Sequence, residues 1–430
     1  MSFDVIYHNA KICKFAHLYN DMTLKEARDL FPVLSTKVYG KPLVYLDNAA
    51  TAQRPESVVR VWEESVRSGN ANLHRAVHKL AADATAQYEN ARVAVKEFLN
   101  ASSPEEIVFT SGATASINLV AFSFGEAFVK KGDEVIVSVA EHHSNIVPWQ
   151  MMCERKKAVL KVLETDENGL LQPERLEILI SHKTKIVAIS HISNVLGLVN
   201  PVRELVAISH KYGVPVLIDG AQGIVHETVD VQDIDCDFYA FSGHKLYAAT
   251  GTGVLYGKKK WLDAMPPYMG GGEMIDTVRF SGTTYAKSPA RFEAGTQNIN
   301  AVPTLVPAIE FVNACRKSPE IAAEQKAIVE YVLDALSKDP RIKLYGVPRR
   351  TEEKIPLFSI TVEGAHHEDL ALLLDKMGIA VRSGQMCAEP LMRRFGLTGL
   401  LRASFAPYNT MEEVAALVDG VRAAKEVFGS

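Results

Sequence analysis

Residues 238–245 read Phe238-Tyr239-Ala240-Phe241-Ser242-Gly243-His244-Lys245, a short apolar run that stops at a lysine, with the turn-rich Gly251-Thr252-Gly253 just beyond. A lysine at the end of a strand is ordinarily solvated. One that is buried beside other cations has a lowered pKa and can condense with an aldehyde. What stands upstream favours the second reading. The run Val214-Pro-Val-Leu-Ile218 reads as a buried strand, and its end carries Asp219-Gly220-Ala221-Gln222. In open parallel sheets ligands bind at the carboxyl ends of the strands. Asp219 alone could equally cap a helix. Together, Lys245, Asp219 and Gln222 supply an amine for a Schiff base, a carboxylate for a pyridinium nitrogen and a donor for a phenolate oxygen. Those are three of the four things pyridoxal phosphate asks of a protein.

Outward from this centre, short apolar runs alternate with helical segments from Ile107 to Tyr256: Ile107–Phe109, Val135–Val137, Val159–Leu163, Ile186–Ile189, Val214–Ile218, Phe238–Phe241 and Val254–Tyr256. Strands separated by helices imply βαβ units and an α/β fold with a mainly parallel sheet. The first βα turn, Thr110-Ser111-Gly112-Ala113-Thr114, is built of small and hydroxyl residues and leads into a helix. Free backbone amides and the helix dipole at such a start can hold a phosphate, the fourth requirement. Ordinary βα turns look similar.

Other turns fall at the same sheet edge. Glu141-His142-His143-Ser144-Asn145 follows one strand and Ser190-His191-Ile192-Ser193-Asn194 another. Adjacent histidines diverge and no third ligand stands near, so no metal site is expected; an imidazole lying flat on an aromatic cofactor suits His142. Before the sheet, Leu43–Leu46 reads as a strand ending in Asp47-Asn48-Ala49-Ala50-Thr51, helices are expected over 55–66 and up to Leu99, and His74-Arg75 between them fits a surface pair or a cleft acid and anion contact.

After Lys245, residues 270–296 read as a long excursion or hairpin, and one helix from Pro303 to Leu336 leads out of the large domain. A smaller α+β domain follows, with strands at Ile342–Tyr345, Leu357–Val362 and Ile379–Val381, a helix from Glu368 to Met377, and a last helix from Met411 opened by the capping box Thr410-Met411-Glu412-Glu413. The division is thus residues 1–22 as an N-terminal extension of no assigned function, with the chain proper starting near Met22, then 23–302 as the large domain and 303–430 as the smaller. In the smaller domain Gly384 and Pro390 bracket a loop with no apolar strand running into it, so Cys387 should be exposed or partly exposed. Arg382 beside it favours thiolate, and Arg402 suits either a bidentate grip on a carboxylate or a structural ion pair.

A chain of 430 residues suits two or three domains, and 47% hydrophobic with 23% charged residues is an ordinary globular balance. The net charge of −4 comes with no basic block, which argues against nucleic acid. No apolar stretch suits a membrane span and no signal-peptide order opens the chain. Five scattered cysteines without a CxxC pair favour a reducing, cytoplasmic setting over a zinc knuckle or disulfide framework. Without a GxGxxG after the first strand, a dinucleotide-binding oxidoreductase is disfavoured.

Taken jointly, Leu46-Asp-Asn-Ala-Ala-Thr51, His74-Arg75, the run from Glu141 to Trp149, Ser193-Asn194, Asp219-Gly-Ala-Gln222, Ser242-Gly-His-Lys245, the run from Arg291 to Thr296 and Arg382-Ser-Gly-x-x-Cys-Ala-x-Pro-Leu391 resemble the group II cysteine desulfurases of the SufS type, over roughly residues 23–428. The resemblance implies the class V aminotransferase fold (fold type I), pyridoxal 5′-phosphate, a homodimer, and conversion of L-cysteine to L-alanine with the sulfur left on the enzyme as a persulfide, in service of iron–sulfur assembly through an acceptor of the SufE or SufU type. By position it implies Lys245 as the Schiff-base lysine, Asp219 at the pyridine nitrogen, Gln222 at the phenolate oxygen and His142 on the ring. It puts Ala113, Thr114, Ser242, His244 and a second subunit's Thr296 at the phosphate. Asn194 and Arg402 fall at the substrate carboxylate, with Asn194 also at the cofactor, Asn48 and His74 fall beside the substrate, and Cys387 takes the sulfur. The chain departs from the pattern at Gln385-Met386, where the family commonly has two histidines and where Gln385 matches a sulfinate-desulfinase branch. Selenocysteine lyase and cysteine sulfinate desulfinase are the alternatives on the same scaffold.

Overall fold

The computed structural model describes residues 22–74 and 77–428. Residues 1–21, which hold nearly all of the expected extension, lie outside them, as does Arg75. All seven apolar runs of the central block form strands: β1 (Ile107–Thr110), β2 (Glu134–Ser138), β3 (Val159–Leu163), β4 (Thr184–Ser190), β5 (Val216–Asp219), β6 (Phe238–Ser242) and β7 (Gly253–Gly257). They make one sheet in the order β1-β7-β6-β5-β4-β2-β3. Every pairing is parallel except those of β7, which runs against both β1 and β6.

Why these runs lack polar alternation follows from their surroundings. Side chains of a strand point alternately to the two faces. Val187, Ile189, Val216, Ile218, Tyr239 and Phe241 enter one buried cluster, and Ile186, Ala188, Leu217, Phe238 and Ala240 enter another on the opposite face. A sheet covered on both sides needs apolar residues at every position. Near the carboxyl ends Asp219 pairs in register with Ser190 and Ala240, and Ser242 with Gly253, so the functional turns gather along one edge.

Gly253 marks a tight seam in that edge. A Cβ there would stand 2.3 Å from the Gly112 Cα. Gly253→Ala is expected to cost about 2–3 kcal/mol, visible as a lower urea midpoint with unchanged slope.

The smaller sheet holds β8 (Ile342–Tyr345), β9 (Leu357–Val362), β10 (Arg382–Gly384) and β11 (Leu400–Ser404), in the order β8-β9-β11-β10. Arg382–Gly384 is therefore a strand, beyond the Val381 at which the sequence ended its last strand before the loop bracketed by Gly384 and Pro390. It lies at the sheet's edge, where half-exposed polar residues are compatible with pairing. The short strand Val44–Tyr45 pairs with Ile379–Ala380, and Leu46 lies in the smaller sheet's core.

The single helix expected from Pro303 to Leu336 is two, Leu305–Lys317 and Pro319–Ser337. Ser318 is extended and its hydroxyl accepts from the Ile321 N–H at 3.3 Å, while Pro319 has no N–H to continue the first helix. Leu305, Phe311 and Ile321 pack into the large core; from Ile328 onward the second helix packs into the smaller one. Residues 270–296 contain the hairpin Ile275–Arg279 and Gly282–Tyr285. Among the described residues no helix is long and apolar enough to cross a membrane.

Candidate active site

The strand ends enclose a cavity of about 220 Å³ between the two sheets. Of the residues the sequence singled out, Ala113, Thr114, His142, Asn194, Asp219, Gln222, Ser242, His244, Lys245, Cys387 and Arg402 all line it. Three others are elsewhere. The Asn48 amide is turned to the Ser404 carbonyl at 2.9 Å and to the Tyr408 hydroxyl, stitching the N-terminal turn to β11. His74 sits at the surface against Tyr88 and Glu89. Thr296 is exposed, away from this chain's cavity.

Burial and neighbouring charge set the electrostatics. Desolvation pushes Lys245 down to about 8, partly opposed by Asp219, which leaves an appreciable share of free amine near neutrality. Asp219 is buried, raised by desolvation and held by the Ala221 N–H at 3.0 Å. Burial first, then Lys245, lowers His142 to about 4, so its imidazole is neutral. Its Nδ1 meets the Ser144 hydroxyl at 2.8 Å and accepts the Ser144 N–H at 3.1 Å, fixing the ring's plane. The helix Ala113–Phe128 opens at one wall, where the Ala113 N–H donates to Ser242 Oγ at 2.8 Å. Gly112 sits behind this bond, and a Cβ there would press on the same hydroxyl at 3.3 Å.

From the smaller sheet come two arginines that face each other across β10 and β11. Arg382 grips Asp47 with Nε and Nη2 at 3.0–3.2 Å. Buried Arg402 gives Nη1 to the Asn194 carbonyl at 2.7 Å and Nη2 to Asp47 at 3.3 Å. Its Nε is buried and has no hydrogen-bond partner among the described residues; the residue as a whole lines the cavity. Asn194 spends its own amide on the Met386 carbonyl at 2.9 Å.

Cys387 is exposed at the edge of the cavity, whereas Cys153, Cys236 and Cys315 are buried. Burial pushes the thiols of Cys153 and Cys315 up to about 11 and 12, the behaviour of small hydrophobes. Two residues that hold the cavity lining from behind went unassigned in the sequence. Asp47, shared by both arginines, reaches them across more than three hundred residues of chain. Glu141, held up near 7 by burial, ties β2 to the Ser190 N–H at 2.9 Å. No local pattern announces either.

Fold and site together define the class. The aminotransferase class-V family model matches residues 44–417, and the chain belongs to that family. Within it the chain falls among the cysteine desulfurases. It is 46% identical to the cysteine desulfurase of Cronobacter sakazakii over 93% of this chain and 97% of that one, and 46% identical to that of Escherichia coli (strain K12 / DH10B) over 95% and 99%. The crystal structure of the cysteine desulfurase CsdA (S-sulfonic acid) from Escherichia coli superposes with a TM-score of 0.86 at 40% identity, over 95% of this chain and all of that one. The apo cysteine desulfurase of Thermococcus onnurineus NA1 gives 0.88 at 35% identity, over 95% and 99%.

Proposed function

We propose that the protein removes sulfur from L-cysteine, with pyridoxal 5′-phosphate as cofactor, leaving L-alanine and a persulfide on Cys387. The observation that carries this reading is that Lys245 and Cys387, an amine of lowered pKa and an exposed thiol from different sheets, line one cavity. The residues present fit the cofactor. A buried carboxylate, Asp219, suits its ring nitrogen and Gln222 its phenolate oxygen, His142 offers a neutral ring, and the helix start at Ala113 and Thr114 with Ser242 and His244 suits its phosphate.

When bound, pyridoxal phosphate supplies an electron sink for charge developing at the substrate's α-carbon. The chain's own groups do the rest. The Arg402 guanidinium, which lines the cavity, suits the substrate carboxylate. Lys245 takes the α-proton and returns it. Cys387 thiolate attacks the substrate sulfur; the sulfur–sulfur bond forms, the carbon–sulfur pair leaves with the carbon fragment, and that fragment is protonated to alanine.

The test is alanine formation from L-cysteine by the purified, cofactor-loaded protein; its absence, with cofactor bound, would sink the reading. Arg402→Lys keeps the charge but loses the planar fork held by Asn194 and Asp47. It is expected to lower kcat/KM for cysteine roughly 10- to 100-fold, mainly through KM, with selenocysteine and cysteine sulfinate affected alike because they share the carboxylate.

A second reading, selenocysteine lyase or cysteine sulfinate desulfinase, rests on Gln385-Met386: the residues just before the thiol offer no acid. Comparing rates on the three substrates separates them. We extend the proposal to a cytoplasmic homodimer that serves iron–sulfur assembly through an acceptor of the SufE or SufU type. Exposed Val59, Trp62 and Val66 share one face of the helix Glu56–Ser68, which supports self-association. In such a dimer Thr296, outside its own chain's cavity, would serve the second copy's phosphate site.

A further inference from the structure

Met386 and Cys387 have φ of 55° and 54°, two consecutive side-chain-bearing residues in the left-handed region. Such residues persist only where their surroundings determine them. Four hydrogen bonds do so here. The Ala388 N–H donates to the Gln385 carbonyl at 3.0 Å, and the Asn194 amide donates to the Met386 carbonyl at 2.9 Å. The other two both come from His143. Its backbone N–H donates to the Cys387 carbonyl at 2.7 Å, and its Nε2 accepts the Glu389 N–H at 3.1 Å.

The second of these is a side-chain contact with a definite purpose. Glu389 opens the helix Glu389–Phe395, whose N-cap residue, Ala388, has no side chain able to satisfy the first amides. His143 does it from across the cavity edge. The bond also fixes its tautomer, with Nε2 bare and the proton on Nδ1. One residue thus holds the chain at two points, at the thiol-bearing residue Cys387 itself and two residues on.

We propose that His143 is the positioning residue for Cys387: it staples the strained loop to the turn that carries His142, so that the thiol meets the cavity at a fixed place. This rests on the desulfurase reading above for what the thiol does, and on the loop geometry alone for how it is held. Positioning matters because misplacing a reacting group by about 1 Å can cost about a hundredfold in rate.

The test uses cofactor-loaded full-length protein with His143→Leu, which removes the acceptor, and His143→Gln, whose amide oxygen can replace it. Amide hydrogen exchange is followed in the peptide from Met386 to Met392, together with kcat and KM for alanine formation and the cofactor content. His143→Leu is expected to exchange at least roughly tenfold faster in that peptide. Its kcat should fall by about a hundredfold with KM for cysteine within about threefold and cofactor content unchanged. His143→Gln should restore the slow exchange and most of kcat. Wild-type exchange in His143→Leu, or a His143→Gln protein indistinguishable from it, would overturn the proposal. A wild type that makes no alanine would sink the desulfurase reading instead, and the exchange rates would still decide the clamp.

Discussion

Lys245→Ala is expected to lose about a thousandfold or more of alanine formation from cysteine while retaining the fold. The side chain stands at the end of β6, between buried Asp219 and the arginines of the smaller sheet, and desolvation brings it down to about 8. An ordinary lysine near pH 7 is almost wholly protonated and can neither attack an aldehyde nor accept a proton. Here the amine is accessible at little cost, and no other side chain lining the cavity can replace it. His142 and His244 are both lowered to about 4 by burial, and Asp219 is spent on the Ala221 N–H. Acid-released cofactor should stay near one equivalent in the variant, because phosphate and ring contacts do not pass through Lys245. Exogenous ethylamine should restore part of the rate. A Lys245→Ala enzyme within tenfold of wild type would remove this lysine from the chemistry.

Why Lys245 was legible from sequence while other parts of the site were not comes down to the range of the contacts involved. β5 and β6 are covered on both faces, so each is an unbroken apolar run, and the residue ending it is marked by where the run stops. Asp219 and Lys245 are both found this way. The role of Asn48 is not: it also follows a strand, but its amide is captured by Ser404 and Tyr408 from the far end of the chain. Asp47 next to it was passed over for the same reason, since its partners Arg382 and Arg402 come from the smaller sheet. The break at Ser318 was legible in principle, because a serine followed by proline is both a stop and a new N-cap. The apolar residues on either side keep helical spacing across it, and that spacing masks the change from one core to the other. The strand Arg382–Gly384 was left unread because polar edge strands lack the pattern that marks central ones.

Cys387→Ser should remove cysteine desulfuration, to below about one-thousandth of the wild-type rate, and leave cofactor content and thermal midpoint unchanged. The thiol is exposed in a loop held by main-chain contacts to Asn194 and His143, none of which involves its sulfur, so exchanging sulfur for oxygen leaves the loop's supports intact. A serine hydroxyl is a poor nucleophile toward sulfur, whereas the sulfur of a cysteine is intrinsically a strong one. The choice of substrate then separates the nucleophile from the rest of the site. In cysteine the carbon–sulfur pair cannot leave with carbon unless a nucleophile accepts the sulfur. In cysteine sulfinate the sulfur is already oxidised and departs as sulfur dioxide, its bonding pair remaining on carbon with no attack needed. The variant is therefore expected to fail on cysteine and to retain most of its rate on cysteine sulfinate, measured side by side as alanine formed. Equal loss on both would mean that Cys387 supports the cavity rather than accepting sulfur. Undiminished activity on cysteine would mean that the sulfur goes elsewhere than to a cysteine of this cavity, since the other described cysteines are buried and none lines it.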